Sequence, residues 1–215
     1  MKIPVIAYHE SNTTLERLLQ RFLDQSSIEI ALEPSLHTSV ALYIHTSSAS
    51  GSSNLKCVAL THGTIFRGSK ARVDWWKRTW PLESFKKVKA LGWAPWSHMM
   101  AFAHDIGAAA FITGGCYVFG LVDSGQDSAK TNLDQLLESI IRVQPDVFSA
   151  VPWVVEGFME RCLRTSDKAL VHSALKRIKV FSCGGASLST DAALWARELG
   201  LNMVNDIGMT EIGGV

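Results

Sequence analysis

From Val40 onward, short β-branched or aromatic runs alternate with amphipathic stretches, and this alternation restricts the fold more than any other feature of the chain. Val40 to Thr46, "CYVFGLV", "DVFSAV", "IKVFSCGG" and "LNMVNDI" read as strands, with a further short apolar piece near Val88 to Ala94. Between them the pattern predicts helices from Thr61 into the Trp75-Trp76 region, from about Met99 to Ile112, and over Leu133 to Val143, Trp153 to Leu163 and Asp191 to Leu199. Leu133, Leu136, Leu137, Ile140 and Ile141 share one face at helical spacing, and Pro145 disfavours continuation beyond Gln144. Thr61 can cap its helix by offering a hydroxyl oxygen to unpaired amides. Repeated strand–helix units of this kind predict an α/β fold, with a mostly parallel sheet flanked by helices on both faces.

Composition removes several function classes. Lys and Arg together number 21 against 20 acids, a net charge of +1, which provides no electrostatic basis for binding nucleic acid or an anionic membrane. With 47% hydrophobic and 19% charged residues, the 215-residue chain is of ordinary globular type. Cys57, Cys116, Cys162 and Cys183 are widely spaced without a CxxC pair, which suits reduced thiols in the cytoplasm. Ile106 to Val122 carries no charge and sits at the low edge of bilayer-spanning length, but Gly114-Gly115 divides it and Asp105 precedes it. A buried helix followed by a buried strand is the reading adopted. "MKIPVIAYHESNTT" lacks the apolar run of a signal peptide.

In open parallel sheets, ligands gather beyond the carboxyl ends of the strands. Three stretches rich in small residues are expected there: "HTSSASGSSNLK" after the first strand, "CGGASLS" after "IKVFS", and "DIGMTEIGG" after "LNMVN". Glycine and serine let backbone amides approach a phosphate while Lys56 supplies charge. A serine-rich connector is also an ordinary surface loop, and Cys57 after Lys56 departs from the Walker pattern. His98 before a helix reads either as a capping or core residue or as a site residue. Its spacing to His104 is not the i, i+4 step of two metal ligands on one helix. Trp75, Trp76, Trp80, Trp93 and Trp96 read as packing.

Taken in order, these stretches resemble the adenylate-forming superfamily of acyl-CoA synthetases, nonribosomal peptide adenylation domains and luciferases. "HTSSASGSSNLKCVALTH" is similar to its phosphate loop at Thr46, Ser47, Gly51, Lys56, Val58, Thr61 and His62. "GGASLS" resembles its adenine loop, and "NDIGMTE" its Asn-x-Tyr-Gly-x-Thr-Glu motif, with Ile207 in place of the tyrosine. "APWSHMMAFAHDIG" resembles the segment lining the acyl pocket, in a form closest to multidomain adenylating reductases.

The resemblance implies ATP-dependent activation of a carboxylic acid to an acyl-adenylate, with ATP/AMP and Mg2+ as cofactors. It implies that Thr46, Ser47, Ser50, Gly51 and Lys56 hold phosphates, and that Gly185, Ala186, Asn205, Asp206 and Ile207 border the adenine. Thr210 would contact the α-phosphate, Glu211 would help hold Mg2+, and His98 would lie between acyl group and nucleotide. The implied acceptor is coenzyme A or a carrier-protein phosphopantetheine.

The resemblance covers about residues 36 to 215, with 1–35 as a lead-in to the same domain. It ends before the family's ribose-binding segment and C-terminal domain, which implies a central fragment inactive in acid-dependent pyrophosphate exchange by itself. Ser48, Leu55 and Cys57 replace residues of the family's loop, and the step from Gly51 to Lys56 is two residues longer. An alternative follows from these departures: a non-catalytic remnant that binds nucleotide weakly or acts as an interaction domain.

Overall fold

The computed structural model describes residues 37–46, 56–79, 87–95, 98–120, 133–164 and 168–212. The 1–35 lead-in, Ser47, Ser50, Gly51, Trp80 and Trp96 lie outside the described residues.

The chain opens with β1 (Val40–Thr46) and β2 (Lys56–Thr61), then α1 (His62–Thr79) and β3 (Lys89–Gly92). A wide helix with π-type hydrogen bonding follows (Met100–Ile112), then β4 (Cys116–Phe119), α2 (Leu133–Val143), β5 (Val147–Ala150) and α3 (Pro152–Arg164). The remaining elements are α4 (Lys168–Arg177), β6 (Val180–Gly184), α5 (Thr190–Glu198), β7 (Met203–Asp206) and a 3-10 turn at Thr210–Ile212.

Five strands form a wholly parallel sheet in the order β4-β3-β5-β6-β7. All four residues of β5 are buried, as expected of a strand covered on both faces. On one face, Phe148, Phe158 and Phe181 anchor a core beneath α2 to α5, Phe148 meeting Phe181 edge-on at 5.4 Å. On the other face, Val147, Val180, Ala90 and Val88 pack under Val73 and Trp76 of α1 and Ala108 and Ala109 of the π-helix. Gly107 lets those two helices come together: a Cβ there would lie 2.1 Å from Ser69 Oγ.

The helix ends follow local chemistry. Thr64 N donates to Thr61 Oγ1 at 3.1 Å, which places the cap of α1 where the sequence predicts it. Ser189, in extended conformation, accepts from Ala192 N at the start of α5. Beyond α2, Gln144 takes a left-handed φ of 49° before Pro145.

One expectation is corrected, and two features are added. β1 does not belong to the parallel sheet; it pairs antiparallel with β2, a strand that the sequence reading leaves within the serine stretch. The serine stretch therefore links two antiparallel strands, instead of crossing from a parallel strand into a helix. The helix over Lys168–Arg177 is also additional, and the Met99–Ile112 helix is π-type, with Thr113 N reaching Ala108 O at 3.1 Å. No described helix is long and apolar enough to cross a membrane.

Candidate functional site

A cavity of about 970 Å³ opens beyond the carboxyl ends of β5, β6 and β7. Ala150, Val151, Ser182, Gly184, Gly185, Asn205 and Asp206 form the sheet side. Thr46 and Lys56 reach it from the two-stranded sheet, where they are the last register pair of β1 and β2. Ile207 to Glu211 border it beyond β7, and His98 to Met100 beside the π-helix.

Of the residues expected at a site, Thr46, Lys56, His98, Gly185, Asn205, Asp206, Ile207, Thr210 and Glu211 all line this one cavity. Ala186 is exposed and does not line it. Ser47, Ser50 and Gly51 belong to the stretch between Thr46 and Lys56, outside the described residues. Ile207 is 90% exposed, so its side chain is open to a ligand rather than packed in the core.

The glycine pair after β6 has a local cause. Gly185 takes φ +86°, a conformation that L side chains rarely adopt. A Cβ on Gly184 would stand 3.0 Å from Asp206 O, so β6 and β7 approach closely only without one.

His98 accepts from Met100 N at Nδ1, 3.2 Å away, which leaves Nε2 to carry the proton of the neutral ring. Desolvation lowers its pKa from the usual imidazole value, favouring that neutral form. Among the described residues no three His, Cys, Asp or Glu side chains are grouped to hold a metal ion. Glu211, exposed on the rim, is a single carboxylate of the kind that shares Mg2+ with phosphate oxygens and water, so the donor set fits that ion when nucleotide supplies the rest.

The structure adds a polar row that motif reading does not find. Arg72 of α1, 8% exposed, pairs with Asp206 Oδ2 at 3.0 Å and donates from Nη2 to Ser182 Oγ at 2.5 Å. Ser182 Oγ donates to Ser149 Oγ at 3.2 Å, and Ser149 Oγ to Asp105 Oδ1 at 2.6 Å. Ser149 and Ser182 are register partners on β5 and β6, so their side chains share the face under α1 and the π-helix. Asp105 is 1% exposed, and desolvation, opposed by the Ser149 hydrogen bond and Arg72 and reinforced by Asp206, raises its pKa to about 7. The tryptophans behave as packing: Trp76 is fully buried, with the Arg72 guanidinium 5.9 Å from its ring, and Trp93 Nε1 donates to Ser149 O at 2.6 Å. Trp75 packs against the core formed by Val73, Trp76 and Val88 and also lines the cavity.

Comparison with known proteins shows the family and the fold. The family described as "AMP-binding enzyme" matches residues 2–215. Hispidin synthase of Neonothopanus nambi is 35% identical over an alignment of 227 residues that takes in the whole of this chain and 14% of that protein. A double mutant of the o-succinylbenzoate CoA synthetase from Bacillus subtilis superposes with a TM-score of 0.65 at 19% identity, over 91% of this chain and 35% of its own. ATP-bound MatB from Rhodopseudomonas palustris gives 0.63 at 21% identity, over 86% of this chain and 32% of its own. At these identities the solved structures establish the shared fold. The chain thus spans 14% of the curated relative and about a third of each solved one.

Proposed function

The chain belongs to the AMP-binding enzyme family, and from that premise we propose that residues 36–215 are the central part of a domain that activates a carboxylic acid as its acyl-adenylate. The observation that carries the reading is the convergence of Thr46, Lys56, Gly185 and Asn205 to Glu211 on one cavity. In such a reaction a carboxylate oxygen bonds to the α-phosphorus of ATP, the bond from that phosphorus to the bridging oxygen breaks, and pyrophosphate leaves with the electron pair.

Catalysis of this displacement rests on positioning and on charge stabilisation. Thr46, Lys56 and the Ser47, Ser50 and Gly51 positions would hold the β- and γ-phosphates. Asn205, Asp206, Ile207 and Gly185 would border the adenine, and Thr210 the α-phosphate. Glu211 would share Mg2+ with phosphate oxygens; bound there, the ion would neutralise charge on the departing pyrophosphate. Neutral His98 would separate the acyl end of the cavity from the nucleotide end. A thiol acceptor, coenzyme A or a carrier-protein phosphopantetheine, and a cytoplasmic setting supplied with ATP complete the reading.

Calorimetric titration of the chain with AMP and with MgATP tests it, together with acid-dependent exchange of pyrophosphate into ATP by the protein that carries it. Saturable binding of both nucleotides, lost when Asn205 and Lys56 are replaced together by alanine, is the expected result. No binding of either nucleotide to folded chain rules the reading out. Binding without exchange for any acid supports the non-catalytic alternative.

A further inference from the structure

We propose that Arg72 is a positioning residue for the segment Asn205 to Glu211, itself held from beneath by a one-way hydrogen-bond relay that ends on Asp105. The inference rests on the nucleotide reading for its consequence in binding, but not for its geometry.

The relay has a direction. Arg72 Nη2 donates to Ser182, Ser182 to Ser149, and Ser149 to Asp105, so every hydroxyl both accepts from the cation side and donates toward the acid. Hydrogen bonds aligned in this way polarise one another, and the low local dielectric strengthens them. The same guanidinium nitrogen meets Asp206, the last residue of β7, at 3.0 Å. Beyond Asp206, Ile207 is 90% exposed and Met209 56% exposed, so apolar packing contributes little to holding that segment. Arg72 thus fixes the strand end from which the exposed segment bearing Thr210 and Glu211 departs.

The arrangement is costly if stability were its only purpose. Arg72 Nε and Asp105 Oδ2 are buried without a hydrogen-bond partner among the described residues. Buried charges carry a desolvation penalty of several kcal/mol each, and apolar replacements of similar volume often stabilise a fold. A network kept despite that penalty is explained by the orientation it imposes. It also reaches the π-helix, whose first residue, Met100, lines the same cavity as Asp206.

The test compares Arg72→Met, Arg72→Lys and Asp105→Asn in the full chain by two readouts: amide hydrogen exchange of residues 205–211 without ligand, and AMP affinity. Arg72→Met is expected to speed exchange in 205–211 about tenfold while β3 and β5 stay protected, and to weaken AMP binding about tenfold, the scale of one charge-assisted contact. Arg72→Lys should recover part of both, because an ammonium keeps the charge but not the fork. Asp105→Asn, which keeps an acceptor for Ser149, should give a smaller loss. Unchanged exchange in 205–211 overturns the proposal, as does faster exchange spread evenly through the sheet with AMP affinity intact. If Arg72→Met fails to fold, Arg72→Lys decides: behaviour identical to wild type overturns the proposal, and a local increase in exchange supports it. Localised exchange in a protein that never binds AMP leaves the positioning role standing and removes the nucleotide reading; normal AMP binding with unaltered exchange does the reverse.

Discussion

Arg72 and Asp206 meet at 3.0 Å although they come from opposite ends of the described chain, one on the helix after β2 and the other at the tip of β7. Both residues line the cavity. It makes the segment after Asp206 depend on a side chain more than a hundred residues away in sequence, since |i−j| is already 110 for the neighbouring contact of Arg72 with Ser182.

Lys56 lies beside Thr46 at the cavity, and on the proposed reading it neutralises the outer phosphates. Lys56→Ala should weaken ATP binding about tenfold, the cost of one charge-assisted contact, and leave AMP affinity within about twofold. Parallel titrations with the two nucleotides check this, and equal losses for both would remove the outer-phosphate role.

Glu211 is the exposed carboxylate on the rim. Glu211→Gln keeps the shape and removes the charge, so the Mg2+ concentration that half-saturates pyrophosphate exchange should rise about tenfold, with affinity for metal-free ATP unchanged. An identical Mg2+ dependence in the variant counts against a metal role.

Gly185 holds φ +86°, and Val151 Cγ1, the nearest atom to an added Cβ, stands at an ordinary 3.6 Å. Backbone strain alone is therefore at issue. Gly185→Ala should lower unfolding stability by about 1 to 2 kcal/mol, measured by urea denaturation, and weaken AMP binding. A neutral result in both measurements would show that the turn relaxes freely.

Asp105 carries a pKa raised to about 7, chiefly by burial. Unfolded, the group ionises near its usual 3.8. Between these values the unfolded state has released a proton that the folded state keeps, so stability falls as pH rises, by at most about 1.4 kcal/mol per pH unit. Above about 7 both states are ionised and the dependence ends. Relative to Asp105→Asn, the wild type should therefore lose stability from pH 4 to 7 and run parallel above it. A difference independent of pH would mean that Asp105 is ionised throughout.

The limits of legibility have physical causes. Leu133–Val143 is readable residue for residue because its apolar positions recur on one face and Pro145 closes it. β2 is not, because "KCVALT" overlaps the motif that draws attention to Lys56, whereas its partner β1 is read as a strand from its β-branched and aromatic run. Lys168–Arg177 buries only Val171, Ala174 and Leu175, too narrow a stripe to stand out among basic residues. The π-helix is written in small apolar residues, so no contrast of faces distinguishes a helix of 3.6 residues per turn from a wider one. Thr46, Lys56, Gly185 and the 205–211 segment are found because motif chemistry marks them. Arg72 and Asp105 are not, since a lone arginine on an amphipathic helix reads as a solvated face and Asp105 reads as the edge of an apolar run. A trace of Arg72 does exist: it lies three residues after Ser69 and four before Trp76, both buried, hence on the inward stripe.

The pairing of Thr46 with Lys56 separates two properties that a phosphate-binding turn usually ties together. Lys56 stands opposite Thr46 on a rung of the ladder, so its place along β2 is set by the strand pairing. On the proposed reading, the position of the cation is inherited from the strands and not from the number of residues between Gly51 and Lys56.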